Sequence, residues 1–310
     1  MSGETYALLL LSAARWLTDV GIVWLVGICA YRIVTARVSA PDTPGHGRLL
    51  EVGLCRQAPA AVTLLILATA ARLYAQTYSS FGLDEPVSVE LLRLVAEQTR
   101  WGGRWRLQAG TVVAAALAAT FVVFQRGRRW HWFLLGSTAL AMVGLAPATG
   151  HAFAYSGGVV LPMSLQIMHL LSAGIWLGTL LVLLSAGVRA VWSRSTDDGV
   201  AVASLVDRFS PVALIAATVL GGTGVVSAIL YVDEVRQLWE TTYGRALLAK
   251  TGLFGVTAAL GAYNWRRVRP RIGAPGGVAR LRRSGTAELL VAAAVLAVTA
   301  WLVHLPMPHE

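Results

Sequence analysis

Apolar residues run almost unbroken for about twenty positions at a time along this chain, and polar residues gather in the gaps between. A run of that length fits a helix crossing a hydrocarbon core ~30 Å thick. The runs predict eight spans: Ala7–Val34, Pro59–Tyr78, Leu107–Gln125, Trp130–Gly150, Leu161–Val188, Pro211–Val232, Ala246–Asn264 and Gly285–Leu305. The period-2 alternation of a membrane barrel is absent. The expected fold is all-α: a polytopic helical bundle forming one integral membrane domain over residues 1–310.

Polar residues in the connections set an orientation. The first, third, fifth and seventh connections are arginine-rich, and the seventh carries Arg266, Arg267, Arg269, Arg271, Arg280, Arg282 and Arg283. The second is mixed, the fourth is uncharged, and the sixth holds Asp233, Glu234 and Glu240 against Arg236 and Arg245. Positive connections face the cytoplasm, so both termini are expected outside. The second connection, about 79–106, is the longest external loop. Val87, Leu91, Leu94 and Val95 recur in it at helical spacing, which predicts a short amphipathic helix over Val87–Thr99. Trp101 and Trp105 then mark re-entry at headgroup level.

Composition agrees with this pattern. Hydrophobic residues make up 56% of 310 positions, charged residues 14%, and mean hydropathy is +0.62. A soluble domain carries roughly 25% charged residues. The net charge of +10 does not point to nucleic acid, because the arginines sit in loops and no basic stripe is interleaved with aromatics. Cys29 and Cys55 form no CxxC pair and define no disulfide framework. MSGETYALLLL lacks a positive leader, so the first run is expected to remain as a span. No soluble domain is visible at either end. Phosphate-loop, DKTG, CPC, GxSxG and HExxH sequences are all missing, so neither an ATP-driven pump nor an enzyme is expected.

The chemistry lies in imidazole, thioether and a few buried charges. Ala146 to Trp176 contains no charged residue beyond its two histidines and turns at Ser156-Gly157-Gly158. His151, His169, His304 and His309 all fall on the expected external side. Met163, Gln166, His169, Ala173 and Trp176 share one helix face. Met307 adds a thioether beside His304 and His309. Imidazole with thioether suits copper, Cu(I) or Cu(II), whereas zinc sites more often show Cys or carboxylate beside His. His169 lies ~12 Å below the start of its helix at 1.5 Å per residue, so His151 and His169 read as one site or as two along a path. Arg15 and Asp19, four apart in the first span, read as an i,i+4 pair, a snorkelling arginine, or a carboxylate that carries a proton or attracts a cation. Lys250, the only lysine, reads as snorkelling towards Glu240 or Glu234, or as part of a path. Glu288 enters the eighth span from inside, where it also complements the helix dipole.

Gly150-His151-Ala152, His169, Trp176-Leu177-Gly178, Arg208-Phe209-Ser210, Thr242-Tyr243-Gly244-Arg245, Leu247-Leu248, Lys250, Asn264, Pro270, Arg283, Glu288-Leu289 and Pro306 follow one another in order. In that order they resemble the bacterial copper resistance protein D (CopD) family, over about residues 150–308. Thr179 stands where the family often has a second glycine. The resemblance implies an eight-span protein of the bacterial cytoplasmic (inner) membrane that imports copper for homeostasis or resistance. It also implies a periplasmic carrier of the CopC type, here a separate chain. On this reading Trp176, Tyr243, Arg245, Lys250 and Glu288 line the path or hold buried charge. Roles for Arg15 and Asp19 rest on burial instead. The competing reading is electron transfer through haem b, held by His151 with His169 or by His169 with His304. A third is a scaffold or sensor that binds copper without moving it.

Overall fold

A computed structural model describes residues 2–35, 46–83, 85–125, 129–149, 158–188, 198–232 and 234–305. No strand occurs among them. Eight helices are long and apolar enough to cross a membrane: Gly3–Thr35, Leu50–Phe81, Arg100–Phe124, Arg129–Thr149, Val160–Gly187, Gly199–Tyr231, Thr242–Arg271 and Gly277–Leu302. These are the first to eighth spans below. In lipid a helix satisfies every backbone group internally, which is why each apolar run forms one.

Several ends differ from the expected boundaries. The third span starts at Arg100 rather than Leu107 because Thr99 caps it, accepting from the Gly102 amide at 2.8 Å. Trp105 then donates to the Thr69 carbonyl of the second span at 3.0 Å, so these residues pack on the bundle as helix. The second and sixth spans run through Pro59 and Pro211 instead of starting there. Charged first turns such as the one holding Glu51 and Arg56 stay helical before entering the apolar run. The short amphipathic helix of the second connection is present as Val89–Gln98, capped by Ser88, with Val95 buried.

The first span is the axis of the molecule, touching the second, fourth, fifth, sixth and eighth. Spans one to four close a ring, each packed on the next and the fourth on the first. The fifth leans on the first and sixth, and the eighth on the first and seventh. The closest seam is between the first and fifth spans. A methyl group at Gly27 would fall onto the backbone of Gly178, and one at Gly174 onto Val26. Small residues permit such an approach. The glycines of the sixth and seventh spans act differently. Gly222, Gly252 and Gly255 meet nothing within 4 Å, while Gly221 faces Phe254 and Gly224 faces the His169 ring.

Two spans carry π-helical segments. The fifth carries π segments at Gly174–Gly178 and Leu183–Gly187, and the seventh ends in one at Asn264–Val268. Such insertions recur at functional sites because they re-aim side chains and loosen the backbone ladder.

Candidate functional site

The expected polar residues inside the bundle fall mainly into three groups. The first lies among spans one to four. Arg15 Nε lies 3.1 Å from both carboxylate oxygens of Asp19, and both side chains are only 5% exposed. Arg15 also reaches the Ala146 carbonyl at 3.4 Å. Arg72, buried in the second span, donates to Gln108 Oε1 at 2.6 Å and Thr149 Oγ1 at 2.8 Å. Gln108 donates onward to the Leu145 carbonyl, and Arg104 to that of Ala148. Four side chains from three spans thus hold the turn at Ala146–Thr149. Arg15, Arg72, Gln108 and Met142 border a cavity of about 20 Å³, room for a single water.

The second group is centred on His169. Its Nδ1 lies 3.0 Å from Thr223 Oγ1 on the sixth span. That hydroxyl reaches the Val219 and Leu220 carbonyls at 2.8 and 3.1 Å. A carbonyl only accepts, so the Thr223 proton goes there and Thr223 accepts from His169 Nδ1–H. The neutral ring then keeps its lone pair on Nε2, the state a metal ligand requires. Burial along this face deepens from half-buried Met163, Gln166 and His169 to buried Ala173 and Trp176, while Leu161 and Met168 on other faces are exposed. Gly224 of the sixth span also lies against the ring. The ring therefore faces the bundle, not lipid.

The third group surrounds Glu288, which is 2% exposed. Trp176 Nε1 donates to Oε1 at 3.1 Å and Asn264 Nδ2 to Oε2 at 2.7 Å. Trp176 sits inside one π segment and Asn264 opens another. Gly261 leaves room beside both the carboxylate and the indole, and Phe254 packs edge-on against Trp176 with centroids 6.3 Å apart.

The expected residues distribute unevenly over these groups. His151, Met307 and His309 lie outside the described residues. Among the described residues no three His, Cys, Asp or Glu side chains gather as a metal site. His304 donates from Nδ1 to Ala300 O of its own helix at 2.8 Å. Tyr243 is buried with Leu302 and Leu305. Arg245 is exposed, so its charge is not a buried one: it stands in the first turn of its span, where a long side chain reaches water. Lys250 does not follow the snorkelling expectation, for Glu234 and Glu240 pair with Arg236 instead. Four polar partners were not foreseen as site residues: Arg72, Gln108, Thr223 and Asn264. Arg72 had a readable signal, a charge in the middle of an apolar run.

Two family models match the chain. Copper resistance protein D covers residues 203–302, and the copper resistance protein D-like N-terminal domain covers 5–161. The second extends the likeness across the first half, where the sequence motifs alone did not carry it. Copper transport protein CutJ of Bacillus subtilis (strain 168) is 33% identical over 222 residues, 69% of this chain and 38% of that protein. The chain thus spans less than half of that relative's length. Copper resistance protein D of Pseudomonas syringae pv. tomato is 26% identical over 301 residues, 94% of each. No solved structure matches significantly. With an eight-span fold and family models along both halves, the chain belongs to the copper resistance protein D family.

Proposed function

We propose that the chain imports copper across the bacterial cytoplasmic membrane and so contributes to copper homeostasis or resistance. Copper enters at the end of the bundle where both termini lie. The arginine-rich connections put the opposite end in the cytoplasm. His151, Met163, His169, His304, Met307 and His309 supply imidazole and thioether to the incoming ion, which is substrate and not a resident cofactor. A separate periplasmic carrier of the CopC type delivers it there. Neither the described residues nor the matched families point to haem.

The observation that carries this reading is the tie between His169 and Thr223, which leaves Nε2 as the donor nitrogen. No carboxylate pairs with that ring among the described residues, so a cation there would be held by neutral donors. A transport site needs holding of that kind, strong enough to load and weak enough to release. From His169 the face continues to Trp176, whose indole donates to Glu288 on the eighth span. Copper accumulation in cells expressing wild type, His169→Ala or His151→Ala tests the assignment. Both variants should accumulate less. Wild-type accumulation by both would remove these histidines from the path.

A further inference from the structure

Among the described residues the environment of Glu288 differs from that of the other buried carboxylate, Asp19. Asp19 has a guanidinium on it. Glu288 has only neutral donors, the Trp176 indole and the Asn264 amide. An ionised carboxylate without a cation inside a membrane is costly, and such residues mark ion or proton pathways. Among the described residues no ion pair reaches it from the spans packed around it. On the first span Arg15 and Asp19 hold each other, and on the fifth His169 bonds Thr223. On the sixth Asp207 pairs with Arg269. On the seventh Lys250 stands well over two turns before Gly261, which lies beside Glu288, and Tyr263 is 47% exposed.

The amide beside it supplies the second observation. Asn264 Oδ1 is buried without a hydrogen-bond partner. With Glu288 ionised, Nδ2 donates to Oε2 and Oδ1 is left over. With Glu288 protonated, the amide turns over, Oδ1 accepts the new Oε2–H, and Nδ2 is left over. Both charge states keep the same number of hydrogen bonds. A site for an alkali ion would gather acceptors, whereas this one presents donors to both carboxylate oxygens.

We propose that Glu288 is a proton-exchange site in the membrane interior, with Asn264 as its reversing partner and Trp176 as its fixed one. In the reaction a proton from water adds to Oε2 and later leaves by the same atom, with no other bond changed. If the copper reading above holds, this is the site of the coupling ion. Its test does not depend on copper.

The experiment is infrared difference spectroscopy of the purified protein in lipid nanodiscs, titrated from acid to alkaline buffer. A carboxylic C=O band of a water-shielded group should appear as pH falls and be missing in Glu288→Gln, which keeps the shape and cannot ionise. Should that variant fail to fold, Asn264→Ala keeps the carboxyl and loses one donor to its charged form. Both charge states lose a bond in this variant, but the bond lost from the ionised form is charge-assisted and the stronger, so the midpoint should move by up to about one pH unit towards alkaline. No titrating band in wild type, a band that survives Glu288→Gln, or a midpoint unmoved by Asn264→Ala overturns the proposal. Copper flux into proteoliposomes holding a lumenal pH dye separates the two readings. Flux without a titrating band ends the proton site and leaves copper transport standing. A titrating band in protein that moves no copper does the reverse.

Discussion

The first four spans and the last four treat buried polarity in opposite ways. In the first half a guanidinium meets a carboxylate, Arg72 is held by Gln108 and Thr149, and Arg15, Gln108 and Arg104 fasten the carbonyls of the turn at Ala146–Thr149. Such a network has one arrangement, and it is rigid. In the second half His169 rests on a hydroxyl, Glu288 on an indole and an amide, and both π-bearing helices lie there. The first half is built as a frame. The second keeps a lone pair and a carboxylate unpaired by charge, the condition for binding and releasing an ion.

The largest effect expected from this contrast is in the frame. Arg15→Ala leaves Asp19 charged and buried, and breaking a buried pair costs about 3–5 kcal/mol. The double variant Arg15→Met, Asp19→Leu removes both charges and should recover most of that loss. Thermal unfolding in detergent measures both. Equal loss in the single and double variants would mean that packing, not charge, sets the cost.

Next comes the working half. Thr223→Val removes the acceptor that fixes the His169 tautomer, and the loss of such an outer partner weakens metal affinity about 10–100-fold. Thr223→Ser keeps the hydroxyl and should stay near wild type. Copper affinity, measured by competition with a coloured chelator, should fall in the first variant and not in the second. If valine and serine behave alike, Thr223 only fills space.

Much of the frame was legible in the sequence and little of the site was. Unbroken apolar runs and alternating loop charge yield eight spans, because length and hydropathy are what a bilayer selects. The same signal blurred the ends at Pro59, Leu107 and Pro211, where charged turns continue as helix beyond the apolar run. The π segments at Gly174–Gly178 and Asn264–Val268 left no mark, since an added residue in a helical turn does not alter hydropathy. The Arg15–Asp19 pair was readable from i,i+4 spacing within one helix. Glu288 with Trp176 and Asn264 was not, since periodicity gives each helix a face but never names the helix it meets. His169 shows both sides: its face followed from spacing, and its tie to Thr223, 54 positions away, did not.

The seam between the two halves gives a third, smaller expectation. Gly27→Ala pushes a methyl group onto Gly178, and overpacking of this kind costs about 1–3 kcal/mol. Gly252→Ala meets nothing within 4 Å and should leave thermal unfolding unchanged or slightly raised, as alanine is the better helix former. Equal tolerance at both positions would mean that the first and fifth spans are not pressed together there.

The smallest effect isolates the medium from the chemistry. Arg236 and Glu240 repeat the spacing of Arg15 and Asp19, arginine and acid four apart, with Nε–O distances of 3.9 and 3.1 Å. Exposure separates them: the side chains of the surface pair are 67% and 58% accessible, against 5% each inside. Water solvates both surface charges, whether they meet or not, and salt screens what attraction remains. Arg236→Ala should therefore change stability by at most about 1 kcal/mol, and the change should vanish in high salt. Arg15→Ala should stay costly there, because ions do not reach a pair sealed between helices. If the two variants respond to salt alike, the inner pair is wet, and the frame is not the closed structure that sets the first half apart from the second.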